Sequence, residues 1–320
     1  MSISGGVRCV GWLSLFVSLG LTFAGTASGY CLMTTCELQP PPAVCSGSRD
    51  ERGCSIEGRT LHWKGGCLAF SVHRSGSARR HIVASDLQEV VSAAFHEWEA
   101  VDCGMGHGPA LQALAYPQVH CDRVGFAPNG PNQNSWIFRD EYWPHAVEAE
   151  EAIALTTLTV QPSTGLILDA DVELNSRDNA FTLEGGEGID LASIVAHESG
   201  HVLGLGHSDW ATSTMALGYE IGSVDARTLE ADDERAICSA MPFVESSRVC
   251  DPEPIGGFDV GCEFDDGCCS IAPRRRSTAS LLAVGLGSLL LVLRRRTPSA
   301  RRQTRRRCCR PNPRDALWLP

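Results

Sequence analysis

Apolar positions along the chain follow two periods, and these divide it into elements. In 85–100, SDLQEVVSAAFHEWEA, Leu87, Val90, Val91, Phe95 and Trp98 recur at spacings of three and four. That is one face of an amphipathic helix, with Ser85 as its N-cap. His96 and Glu97 fall on the surface side, with no second histidine four residues on. Strand patterns occur at 62–73 (HWKGGCLAFSVH), 135–138 (SWIF), 154–161 and 165–174. Gln161-Pro162-Ser163-Thr164-Gly165 makes the turn joining the last two into a hairpin. Asp190 caps a second helix running from Leu191 to about Gly204, and TLEADDERAICSA predicts a third over 228–240. The remainder of 104–150 reads as loop, and no internal repeat is present.

Composition adds compartments to this pattern. Residues 30–273 hold 37 acidic against 13 basic side chains, whereas 274–320 hold 13 arginines and one aspartate. The acidic body argues against nucleic-acid binding by that part of the chain. At the start, Arg8, an apolar run over 9–23 and the small residues 24–29 form a secretory signal, with cleavage near 27–29. An uncleaved anchor is the alternative, against which the run is short. Ten cysteines lie between that signal and residue 262, an even number without close C-x-x-C pairs. In an oxidising compartment they pair as disulfides, in a connectivity that spacing does not reveal. The chain therefore divides into a signal (1–29), a Cys-rich extension (30–60), a catalytic domain (61–243), an acidic Cys-containing linker (244–273), a transmembrane or sorting segment (274–296) and an Arg-rich tail (297–320).

Residues 197–208, HESGHVLGLGHS, carry the chemistry. His197 and His201 lie four apart, one turn above each other on one helix face, so both imidazoles reach one ion. Gly204 is the residue type that lets a helix end in a left-handed turn, after which the chain can bring His207 up as a third nitrogen ligand. Three neutral imidazoles with an open fourth position describe a catalytic zinc site. Glu198, beside the first ligand, is placed to act as general base toward water at that position. Five fixed positions rarely coincide by chance, which separates this string from ordinary core histidines.

The string H-E-x-x-H-x-x-G-x-x-H resembles the extended zinc motif of the metzincin metalloproteases. Ser213-Thr214-Met215, with Met215 eight residues past His207, resembles their Met-turn. Gly204-Leu205-x-His207-Ser208, that spacing, and Leu229, Asp232-Asp233 and Ala236-Ile237 in the last helix are similar to the matrixins, over about 60–242. The resemblance implies an α+β metzincin fold: a twisted, mostly parallel five-stranded sheet with an antiparallel edge strand, an active-site helix, the Met-turn and a C-terminal helix. It implies Zn(2+) on His197, His201 and His207. A protein or peptide substrate would be bound along an edge strand, here placed at 166–173. Residues 216–219 would line the pocket for the side chain after the cut. Tyr219 is open to a second role, stabilising the oxyanion as in the astacin branch. Asp232 and Asp233 resemble acids that brace the Met-turn or a processed amino terminus, or else form a solvated helix start. Asp169 and Asp171 partly echo the family's Ca(2+) ligands, and strand alternation accounts for them equally. The family's P-R-C-G latency string and its second zinc site have no counterpart; His145 is isolated, and any latency falls to another device such as segment 31–60.

Residues 277–293 are an uncharged run of seventeen between the triplets Arg274–Arg276 and Arg294–Arg296. This predicts a membrane span with the arginine-rich end in the cytoplasm. Gly267-Cys268-Cys269-Ser270, then a span, then an arginine cluster, resembles the MYXO-CTERM sorting tails of exported bacterial proteins. There Cys268 or Cys269 would attach the product to the envelope. The sequence thus predicts an exported, surface-anchored zinc endopeptidase. A non-catalytic, zinc-stabilised adhesion module is the competing reading, against which the intact Glu198 counts.

Overall fold

The structure, a computed structural model, describes residues 29–37, 44–145, 151–242 and 250–261, and the backbone of 316–319. The strands are β1 (Cys67–Val72), β2 (Gln112–Ala115), β3 (Ser135–Phe138), β4 (Ala154–Gln161), β5 (Leu166–Leu174), and the two-residue β6 (Phe181–Thr182) and β7 (Ile189–Asp190). The helices are α1 (Ala84–Glu99), α2 (Leu191–Val202) and α3 (Ala231–Ala240). Five strands form the main sheet in the order β2-β1-β3-β5-β4, and a C-terminal strand, β8 (Ala316–Leu319), adds to β4. β2, β1, β3 and β5 run parallel, whereas β4 is antiparallel to β5. This is the mixed α/β arrangement with one antiparallel edge that the metzincin resemblance implies.

Three expectations change. The strand at 166–174 is internal, held between β3 and β4, so the antiparallel outer strand of the five is 154–161 rather than 166–173. The cause is non-local: Trp136 pairs with Val172, which fixes β5 inside the parallel set. β2 lies in the stretch expected to be loop; its four residues are largely exposed and carry no apolar period. α1 begins at Ala84, with Val83 before it, so Ser85 sits in the first turn instead of capping it.

α1 and α2 cover one face of the sheet. Leu87, Val91, Phe95 and Trp98 of α1 are fully buried against the sheet and α2, and the Trp98 indole donates to the Ala196 carbonyl at 3.1 Å. On β5, Ala170, Val172 and Leu174 enter this core, whereas Asp169, Asp171 and Glu173 alternate to the other face.

Segment 31–60 is stapled by Cys31–Cys54 and Cys36–Cys45. It packs against the turn after α2: Met33 N donates to Gly204 O and Gly206 N to Cys31 O, both at 2.9 Å. Cys67–Cys250 ties β1 to the segment after the catalytic region, and Cys103–Cys238 ties the end of α1 to α3. Cys121 is also disulfide-bonded, which fits an oxidising, exported setting. Among the described residues no helix is long and apolar enough to cross a membrane. The signal at 1–29 apart from Gly29, the span at 277–293 and both Cys268 and Cys269 lie outside the described residues.

Candidate metal centre

α2 starts cleanly because Asp190 caps it. Its Oδ2 accepts from the Ser193 amide and hydroxyl, both at 2.8 Å, and its carboxylate also pairs with Arg227. The helix stops at Val202, and Gly204 follows at φ +90°, where an L side chain is strained. Gly204 N returns to His201 O and Leu205 N to Gly200 O, both at 2.9 Å, satisfying the last carbonyls. The reversal carries His207 back over the helix face that holds His197 and His201.

The three rings converge. Ring centroids lie 4.7 Å (His197–His201), 5.3 Å (His197–His207) and 4.7 Å (His201–His207) apart. One ligand atom from each falls within 4.8 Å of the others. The hydrogen bonds decide which atoms these are. His197 Nδ1–H donates to the Thr214 carbonyl at 2.7 Å and His201 Nδ1–H to the Leu205 carbonyl at 2.8 Å. Each ring is thereby fixed in the tautomer that leaves Nε2 with a bare lone pair. His201 Nε2 faces His207 Nε2 at 3.2 Å. Burial lowers all three affinities for a proton, pushing His207 down to about 4 and His201 well below its ordinary value, with the neighbouring imidazoles adding to the effect at both. Neutral imidazoles aiming lone pairs at one point fit a divalent ion such as zinc.

Glu198 is 5% exposed and opens onto a cavity of about 620 Å³ beside His197 and His207. Burial pushes its carboxyl up to about 7, while a hydrogen bond from the Thr156 hydroxyl, at 2.5 Å, pulls the other way. Residues 216–219 line the same cavity. The Tyr219 hydroxyl is already committed, donating to Ser223 O at 2.5 Å and accepting from Asp190 N at 2.9 Å, which makes it a strut of the cavity wall and not a free oxyanion donor. No described residue of 29–60 lines the cavity.

Met215 is 0% exposed and packs against α2 at Gly200. A Cβ built on Gly200 would stand 2.2 Å from Met215 Sδ, so the glycine is what allows α2 and the Met-turn to touch. Asp233 holds that turn from α3: Oδ1 accepts from the Ser213 hydroxyl and Met215 N, and Oδ2 from Thr214 N and Glu230 N. Asp232, also buried, accepts from Gly29 N and the Ser208 hydroxyl and pairs with Arg235. Neither acid forms a solvated helix start. Asp233 braces the Met-turn as the matrixin resemblance implies, whereas no local spacing signals the role of Thr156.

Asp169 and Asp171 lie on the far face of the sheet, away from the triad, and are fully buried. Asp171 accepts backbone bonds from Ser135 (2.9 Å) and Gly125 (2.6 Å). Burial raises it to about 6 and holds Asp169 well above the carboxylate range, with Asp171 beside it adding repulsion. Asp169 Oδ2, Ser135 Oγ and Thr157 Oγ1 are buried without partners, and Thr157 sits directly opposite Asp171 across the β4–β5 ladder. His145 is not an isolated loop residue. It is buried, with Nε2 2.5 Å from Glu173 Oε2, and Arg139 holds the same carboxylate.

A family model described as matrixin matches residues 125–240. A stretch of 55 residues is 44% identical to matrix metalloproteinase-25 of Homo sapiens, covering 17% of this chain and 10% of that protein. The chain thus matches about a tenth of that relative's length. Together with the converging histidines, these matches support a matrixin-like metalloprotease.

Proposed function

We propose that the chain is an exported zinc endopeptidase, anchored at the cell envelope, that hydrolyses peptide bonds with Glu198 as general base. The observation that carries this is the direction of the imidazole nitrogens. With both Nδ1–H groups spent on Thr214 and Leu205, His197 and His201 present Nε2 to the point where His207 also arrives. Zinc held there supplies Lewis acidity toward a carbonyl and lowers the pKa of water. Glu198 takes a proton from the attacking water and passes it to the leaving amine. The Thr214 carbonyl keeps the His197 ring in place during this exchange.

Substrate binds as an extended strand along the outer edge of β4, antiparallel to it. That this edge accepts an antiparallel strand is seen in its pairing with Ala316–Leu319, from Thr159↔Ala316 to Thr156↔Leu319. The side chain after the scissile bond enters the 620 Å³ cavity between residues 216–219 and Glu198. A hard cation of the calcium class belongs on the far face at Asp169 and Asp171, where the orphaned Ser135 and Thr157 oxygens complete an all-oxygen donor set. Residues 1–29 direct export, 274–296 anchor the product, and Cys268 or Cys269 is the attachment residue.

The test is peptide-library cleavage by the purified chain, wild type against Glu198→Ala. Cleavage is expected to vanish with a chelator, return with zinc, and be absent in the variant even though it still binds zinc. Turnover by zinc-loaded Glu198→Ala at the wild-type rate overturns the assignment.

A further inference from the structure

Side chains on β4 alternate between the two faces of the sheet. Ala154, Leu158 and Val160 enter the apolar core under α2, and Thr156 falls in the same row at 0% exposure. Valine has the same shape without a polar atom, so a threonine in this row costs the desolvation of a hydroxyl unless that hydroxyl is bonded. It is bonded to Glu198 Oε2, across 42 positions of chain, joining the antiparallel strand to the metal-bearing helix. Thr157 and Thr159 cannot substitute for it, because they stand opposite Asp171 and Asp169 on the other face. Among the described residues no other group bonds the Glu198 carboxylate.

We propose that Thr156 is a positioning residue for the general base: its hydroxyl fixes Oε2 of Glu198 and thereby holds Oε1 toward the cavity. This rests on the zinc-peptidase reading above. A glutamate has three side-chain torsions, and a base serves only while one oxygen stays within hydrogen-bond reach of the water it deprotonates. A hydroxyl-to-carboxylate bond is short and charge-assisted, which suits it to removing that freedom. It occupies one oxygen only, so the other keeps its lone pairs for the proton transfer. The bond is made from inside the core, while the backbone edge of β4 that a peptide would pair with stays untouched. The arrangement therefore acts on turnover and leaves substrate affinity alone.

The experiment compares Thr156→Val, Thr156→Ser and Thr156→Ala in the full zinc-loaded chain. Thr156→Val is expected to lower kcat by about 10- to 100-fold, with KM within about twofold and zinc stoichiometry unchanged. Thr156→Ser, which restores the hydroxyl, is expected to recover most of the loss. Thr156→Ala gives the same loss as valine and serves if the valine variant fails to fold. A second readout needs no activity: crystal structures of the metal-free proteins should show Glu198 in one conformer in wild type and Thr156→Ser, and in several in Thr156→Val or Thr156→Ala. If wild type cleaves nothing, the peptidase reading fails, while the Glu198 conformers still decide the role of Thr156. A valine or alanine variant with wild-type kcat, or with Glu198 held in the wild-type conformer, overturns the proposal.

Discussion

Replacing Asp233 by alanine tests how the metal centre is held from below. The carboxylate is 0% exposed and accepts four donors, the Ser213 hydroxyl and the amides of Thr214, Met215 and Glu230. Each hydrogen bond to a buried charged acceptor is worth about 1.5–3 kcal/mol, and each donor left unpaired keeps its desolvation cost. Four such losses do not add, because water enters the space vacated, so about 3–5 kcal/mol is the expected destabilisation, as for breaking other buried charged networks. Asp233→Asn keeps one acceptor oxygen and should lose roughly half of that, about 2 kcal/mol. The effect reaches the metal through a single residue. Thr214 gives its amide to Asp233 and its carbonyl to His197 Nδ1–H. Loosening Thr214 frees the His197 ring, and the loss of such an outer partner weakens metal affinity about 10- to 100-fold. Urea denaturation with disulfides intact measures the first quantity, and competition with a fluorescent zinc chelator the second. An alanine variant within about 1 kcal/mol of wild type, or one binding zinc as tightly as wild type, refutes the reasoning.

The far-face acids and the imidazoles give opposite pH signatures. Asp169 and Asp171 have raised values in the fold, so the cation-free protein holds extra protons and loses stability as pH rises from the ordinary carboxylate range through about 6. Calcium should replace those protons, raising Tm more at pH 7 than at pH 5 in wild type and not in Asp169→Asn; equal Tm with and without calcium counts against the site. His207 and its neighbours have lowered values, so the unfolded chain binds protons that the fold rejects between about 4 and 6.5. Metal-free protein should therefore lose stability through this contribution as pH falls below 6.5, a trend that substituting His207 by glutamine should flatten in a pH series of denaturation midpoints.

What the sequence reveals and what it hides divide along chain distance. The metal ligands were legible because a helix repeats every 3.6 residues and a glycine marks its end, so His197, His201, Gly204 and His207 lie within eleven positions. Asp190 was legible as a cap for the same local reason, and its carboxylate does accept from Ser193. The order of strands was not, since β4 and β5 are both apolar enough to sit at either place. Only the pairing of Trp136 with Val172 puts β5 inside. His145 looked isolated because its partner, Glu173, is 28 residues on.

The same division separates the groups that face the reaction from those that hold them. The facing groups are contiguous, and a spacing rule finds them. Their supports come from β4 (Thr156 to Glu198), from the Met-turn (Thr214 to His197) and from α3 (Asp233 to Thr214). By local propensity none of these supports stands out, since a threonine in a strand and an aspartate in a helix's first turn are ordinary there; Asp233 is marked only by the family resemblance. Each becomes specific only because it is buried and its one polar function must find a partner. A substitution at Thr156 that preserves shape and secondary-structure preference would therefore look harmless in sequence and act on the centre all the same, through the base.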